Sequence, residues 1–192
     1  MKIIEPSAEL VDEINPDEIL RKLEMCGKVS RNSTLGDAEN FVRSIIKRGH
    51  ESVLEHVSLT FKIVCDRAIM AELTRHRLAS FTVESTRYVN YKDGLTFIKG
   101  TPEFGTRVHF LRDIEDEYRL LIKSWYPPEQ ARAVLPQCTA TTSYMTANLR
   151  EWRHVLKLRT DKAAHPQMRF IMNQVLAVFK EKLPVIVEDI KP

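Results

Sequence analysis

Between residues 57 and 65 the chain alternates by twos. Val57, Leu59, Phe61, Ile63 and Cys65 are apolar, and Ser58, Thr60 and Lys62 stand between them. A period of two sends successive side chains to opposite faces, so this stretch predicts a strand with one face on a core and the other towards water. The stretches around it follow the helical period instead. Residues 16–25 carry Ile19, Leu20 and Leu23, with Asp17 and Glu18 in the first turn, where carboxylates suit a helix dipole. Residues 37–47 place Phe41, Val42, Ile45 and Ile46 on one stripe, and Gly49 supplies a stop. Residues 67–78 return to helical spacing through Ile69, Met70 and Leu73, with Arg75, His76 and Arg77 expected in the last turn.

The second half continues the mixture. Residues 80–91 are polar and β-branched and read as a loop with extended pieces. Residues 103–125 predict a helix, and Pro127-Pro128-Glu129 opens a short one. The threonine-rich stretch 137–145 predicts a strand. Asn148 is placed to cap a helix reaching Arg159. A last helix begins near His165-Pro166 with Met168, Ile171, Met172, Val175, Leu176 and Phe179 as its buried stripe. Helices and strands follow no regular β-α-β rhythm, so the expected fold class is α+β, an antiparallel sheet packed with several helices in a single domain spanning 1–192.

Composition narrows the function classes. Apolar residues make up 43% of the 192, enough for a core, and the apolar runs are too short and too often broken by charge to span a bilayer. No apolar signal-type segment follows Met1, which makes the cytoplasm the expected location. A net charge of +3 is too small to argue for a nucleic-acid partner. Cys26, Cys65 and Cys138 are far apart and form no C-x-x-C, which argues against both a disulfide framework and a zinc site, so no metal is expected.

The densest candidate chemistry is Arg75-His76-Arg77, then seven residues, then Ser85-Thr86-Arg87-Tyr88. Cations at a helix end can simply complement its dipole. Here, however, two cation-rich segments flank a hydroxyl-bearing turn, and arginine forks with neutral hydroxyl donors suit a nucleotide phosphate. The pattern resembles the R-H-R-x7-S motif of flavin-dependent thymidylate synthases. Two further stretches resemble that family in its own order: Gly49-His50-Glu51-Ser52-Val53-Leu54-Glu55-His56, and Ala131-Arg132 through Leu135-Pro136 followed by Leu158-Arg159 and Arg169. The family often has Asn-Glu where Thr82-Val83 stand, and many members have an arginine at Thr142.

The resemblance implies reductive methylation of dUMP to dTMP, with methylenetetrahydrofolate as carbon donor and NADPH reducing FAD. It implies that His50, Ser52, Glu55, Arg75, His76, Arg77 and Arg159 contact FAD. Glu72, Arg75, Glu84, Ser85, Thr86, Arg87 and Arg169 would contact dUMP. Arg169 would be catalytic, stabilising negative charge on the ionising uracil, and no enzyme nucleophile would be needed. It further implies a homotetramer with shared active sites and no membrane partner. Two rival classes stand beside this one: a phosphate-binding protein acting on long polyanions, and another flavin or nucleotide enzyme on the same scaffold. Salt-dependent polyanion binding would mark the first, and a flavin spectrum without dTMP synthesis the second.

Overall fold

The computed structural model describes residues 1–100 and 108–191. In chain order the strands are β1 (Lys2–Ile4), β2 (Ser7–Leu10), β3 (Ser58–Asp66), β4 (Ala79–Val83), β5 (Thr96–Ile98) and β6 (Ala140–Asn148). The helices are α1 (Pro16–Lys28), α2 (Ala38–Lys47), α3 (Arg67–Leu73), α4 (Val108–Lys123), α5 (Pro128–Ala131), α6 (Leu149–Arg159), α7 (Pro166–Lys182) and α8 (Pro184–Val187). Short 3-10 turns at Val29–Arg31, Glu51–His56 and Arg132–Val134 link them.

Side-chain caps set where the main helices begin. Asn15 accepts from the amides of Asp17 and Glu18 ahead of α1, Asp37 from Asn40 ahead of α2, Asp66 from Ile69 ahead of α3, and Asn148 from Glu151 ahead of α6. Each satisfies amides that a first helical turn leaves unpaired. Two of these caps, Asp66 and Asn148, are also the last residues of β3 and β6, so each strand runs directly into a helix.

Four strands form an antiparallel sheet in the order β2-β3-β6-β4, which bears out the predicted fold class; β1 and β5 add a small parallel pair. The register from Ser58 opposite Asn148 to Asp66 opposite Ala140 puts Leu59, Phe61, Ile63 and Cys65 on one face with Met145 and Ala147. Helices α6 and α7 close over that face. Trp152 is fully buried, with its ring 5.0 Å from Phe61, and its Nε1–H donates to the Leu59 carbonyl at 2.9 Å. Burying each large side chain of this core is worth about 1.5–3 kcal/mol. A second apolar cluster gathers Leu95, Phe97, Leu111, Tyr118 and Ala131 between β5, α4 and α5.

Several boundaries differ from the sequence expectation. Helix α3 stops at Leu73, because Thr74 caps it, so Arg75, His76 and Arg77 form a turn beyond the helix rather than its last turn. Within 80–91 there is an edge strand, β4, whose Ala79, Phe81 and Val83 lean on β6 while Ser80 and Thr82 face out. The helix expected over 103–125 is described as Val108–Lys123, and 103–107 lie outside the described residues. The strand expected over 137–145 starts three residues later and runs to the cap Asn148.

Candidate active site

The route α3, turn, β4, loop carries most of the candidate residues. Glu72 sits in the last turn of α3, the amides of Arg75 and His76 bond back to the Glu72 and Leu73 carbonyls, and Ala79 opens β4. At the far end of β4, the amide of Glu84 bonds to the Thr142 carbonyl on β6 at 2.9 Å. The five residues of β4 therefore set Arg75-His76-Arg77 and Ser85-Thr86-Arg87 at opposite ends of a strand on the order of 14 Å long, at ~3.4 Å per residue. The sequence suggests two cationic segments closing on one phosphate as neighbours. The strand between them separates them instead.

At the first end, Arg159 from the close of α6 joins two candidates. Its Nε–H donates to His76 Nε2 at 3.0 Å, and its terminal nitrogens lie 3.2 Å from the Glu72 carboxylate and the Glu72 carbonyl. His76 is buried, and its Nδ1 faces the buried Glu151 carboxylate at 3.5 Å. Burial, reinforced by the positive Arg159 and by His154, holds the His76 imidazole down to about 4, so it is neutral at physiological pH. Burial pushes the Glu151 carboxyl up. The ligand atoms of His76, Glu151 and His154 lie within 4.8 Å of one another. Because Arg159 already donates to Nε2, the neutral ring carries its proton on Nδ1, the atom a metal would need. Arg75 and Arg77 are exposed, and among the described residues their side chains have no hydrogen bond or ion pair.

Two clefts flank the 3-10 turn Glu51–His56. One, of about 620 Å³, is lined by Glu55, Leu78, Glu151, His154 and Lys157, with Arg150 bonded to Glu55 at 2.5 Å. The other, of about 540 Å³, holds His50 and Ser52 together with Lys28, Arg48, Ser30 and Ser44. Of the residues expected to hold flavin, Glu55 lines the first cleft and His50 and Ser52 the second, while Arg75, His76, Arg77 and Arg159 line neither. The donor sets fit the group. Cations and hydroxyls in the second cleft match a pyrophosphate, and the exposed apolar Leu78 beside Lys157 and His154 offers the first cleft a surface for a ring.

At the other end, Ser85 folds its own loop. Its hydroxyl accepts from the Arg87 amide at 3.2 Å, and its carbonyl accepts from the amides of Tyr88 and Val89. Thr86 is buried, and Glu84 accepts a 2.5 Å bond from the Tyr91 hydroxyl. Arg87 is paired with Glu129 at 2.9 Å. Arg169 stands in the first turn of α7, half-buried, and among the described residues no side-chain hydrogen bond joins it to the other candidates. Lys157, Glu151, Tyr91 and Glu129 were not singled out by sequence. Glu129, Lys157 and Tyr91 lie within three residues of a motif stretch, but what each of the four meets depends on contacts across the fold.

The comparisons with known proteins identify the family and the fold. A family model described as thymidylate synthase complementing protein matches residues 9–185. The probable flavin-dependent thymidylate synthase of Mycobacterium phage L5 is 33% identical over 177 residues, covering 83% of this chain and 73% of that protein. The flavin-dependent thymidylate synthase of Geobacter sulfurreducens is 34% identical over 165 residues, covering 81% and 71%. Among solved structures, a UMP/dUMP methylase, PolB, from Streptomyces cacaoi bound with 5-Br UMP superposes with a TM-score of 0.81 at 25% identity, covering 98% of this chain and 95% of that one. With a family model matched over residues 9–185 and relatives 33–34% identical over more than four fifths of the chain, the chain belongs to the flavin-dependent thymidylate synthase family.

Proposed function

We propose that this protein methylates dUMP reductively to dTMP, with FAD as the flavin, methylenetetrahydrofolate as carbon donor and NADPH as reductant. Within the family, the observation that carries the assignment is Arg159 bound at once to Glu72 and to His76. One guanidinium thereby ties a residue read as facing the nucleotide to one read as facing the flavin. When bound, FAD supplies the redox chemistry, and the chain supplies binding, orientation and charge. His50, Ser52, Glu55, Arg75, His76, Arg77 and Arg159 hold the flavin in this reading. Glu84, Ser85, Thr86 and Arg87 hold the phosphate end of the nucleotide. Arg169 faces the base and stabilises the negative charge that develops there.

The separation of the two motif halves by β4 supports a site shared between subunits. Glu72 and Arg87 lie at opposite ends of one strand, and Leu78 is 76% exposed beside Arg75 and Arg77, which have no side-chain partner among the described residues. A second copy of the chain, in a homotetramer, brings one end of β4 to the other end of its neighbour. Sedimentation tests this; a fully active monomer rules it out.

The visible absorption spectrum of the purified protein, before and after dUMP, tests the function directly. A flavin spectrum perturbed by dUMP, with dTMP formed on adding the folate and NADPH, is the expected result. A protein that binds no FAD overturns it. UMP belongs in the same assay, because the structural relative is named for acting on both nucleotides.

A further inference from the structure

The A-R-x-x-L-P stretch has no task in the reading above, yet the structure sets it against the Ser85-Thr86-Arg87 loop. Helix α5 and the 3-10 turn Arg132–Val134 meet that loop through two side-chain contacts. Glu129 on α5 accepts from Arg87 Nε–H at 2.9 Å. Three residues on, Arg132 Nη1 lies 3.5 Å from the Thr86 hydroxyl oxygen. The Arg87 guanidinium also lies 5.4 Å from the centre of the Tyr88 ring. Arg87 is thus held on one face by an aromatic ring and at Nε by a carboxylate. Among the described residues, its two terminal nitrogens have no hydrogen bond.

We propose that Glu129 is a positioning residue for nucleotide binding. It fixes Arg87 so that the edge formed by its two terminal nitrogens faces the phosphate. The inference rests on reading Ser85-Thr86-Arg87 as the phosphate loop. Preorganisation of Arg87 is what Glu129 contributes. An exposed arginine samples many rotamers, and a ligand that must freeze it binds more weakly than one that finds it already placed. Glu129 takes Nε and leaves the fork that best matches two phosphate oxygens. Its charge opposes the phosphate, but both partners are about half exposed, at 57% and 46%, and water and salt screen that repulsion. The opposite role for Glu129, a competitor occupying the phosphate's place, predicts the opposite sign of effect.

The test uses the flavin-loaded protein and two probes, dUMP and deoxyuridine, which differ by the phosphate. Affinities are measured for wild type, Glu129→Ala, Glu129→Gln, Arg87→Ala and the double variant Arg87→Ala/Glu129→Ala. Glu129→Ala should weaken dUMP about threefold to fivefold, the upper range for an exposed charged pair, and leave deoxyuridine unchanged. Glu129→Gln keeps an oxygen that accepts from Nε and should return dUMP affinity to within about twofold of wild type. In the Arg87→Ala background, Glu129→Ala should add nothing. Tighter dUMP binding in both Glu129 variants would make Glu129 a competitor and overturn the proposal. Equal weakening of dUMP and deoxyuridine would reduce it to a structural contact. An Arg87→Ala variant with unchanged dUMP affinity would instead remove the phosphate-loop assignment itself, a result that falls on Arg87 and not on Glu129.

Discussion

Arg153, in the middle of α6, meets Asp189 through two hydrogen bonds, 2.7 and 2.9 Å long. The arginine is 1% exposed, donates to Glu51 at 2.9 Å and bonds the Ile186 carbonyl. One buried cation thereby gathers the 3-10 turn, α6 and the C-terminal segment, and Glu51 and Arg153 form part of the wall of the first cleft. Arg153→Ala should destabilise the fold by about 2 kcal/mol, since it removes the charge-assisted hydrogen bonds of a buried guanidinium, while Glu51 and Asp189 are exposed enough for water to take its place. Urea unfolding measures it. A loss below about 1 kcal/mol, the scale of surface pairs, would show that the network is not needed.

Asp189 gives that network a pH signature. Its hydrogen bond to Arg153 holds the carboxyl well below its ordinary value of 3.8, helped by Lys157. A group with a depressed folded pKa adds stability above its unfolded value and loses it as pH falls through the folded one. Wild type should therefore lose stability on acidification from pH 4 downward more steeply than Asp189→Asn. Parallel pH profiles for the two proteins would show that Asp189 contributes nothing.

His76 should stay neutral to unusually low pH. Its ordinary value of 6.5 falls to about 4, chiefly by burial. The unfolded chain gains a proton across that window that the folded chain refuses, so His76's contribution to stability shrinks as pH drops from 6.5 to 4. The buried Glu151, pushed up, contributes with the opposite sign. Nitrogen NMR on the imidazole separates the two. The expected state at pH 6 is a neutral ring protonated on Nδ1, because Arg159 donates to Nε2. An imidazolium at that pH would contradict the geometry.

What the sequence made legible follows from the physics of each segment. Asn148 and the stripe from Met168 to Phe179 were readable because capping chemistry and helical period are local. Strand β4 was not, because an edge strand with Ser80 and Thr82 facing out carries little alternation. The motif residues could be named from their order along the chain. Their division between the two ends of β4 could not, since it depends on the pairing of Ala79 with Ala147 and Val83 with Ser143. Buried Arg153 had no sequence signal at all: charged residues on an amphipathic helix normally face water.

Arg169 should matter for turnover and not for flavin. It stands in the first turn of α7 without a side-chain partner among the described residues, available to a ligand's negative charge. Arg169→Ala should slow single-turnover dTMP formation by roughly 10²–10³, the usual loss on removing one donor to a developing anion. The flavin absorption spectrum and FAD affinity should be unchanged. Equal losses in FAD affinity and turnover would mean that Arg169 belongs to the flavin.

The cysteines test whether the reaction needs an enzyme nucleophile. A thiol attacking uracil must reach its thiolate form, which requires exposure and a lowered pKa. Cys65 meets neither condition. It is fully buried on the core face of β3, and burial, with Asp66 beside it, pushes its thiol up to about 12. Cys26 is half-buried near the end of α1, on an element that carries none of the motif residues. Cys138 is half-buried just before β6, close in sequence to Arg132, and is the one candidate position that leaves the question open to experiment. Replacing Cys26 by Ser and Cys65 and Cys138 by Ala should leave turnover within about tenfold, roughly 1.4 kcal/mol of barrier. The small cavity at Cys65 should cost about 1 kcal/mol of stability, comparable to trimming one buried methyl group, so the assay belongs well below the melting temperature. A cysteine-free protein that folds and binds FAD and dUMP normally but makes no dTMP would establish a thiol nucleophile, and single restoration of Cys138 would then identify it.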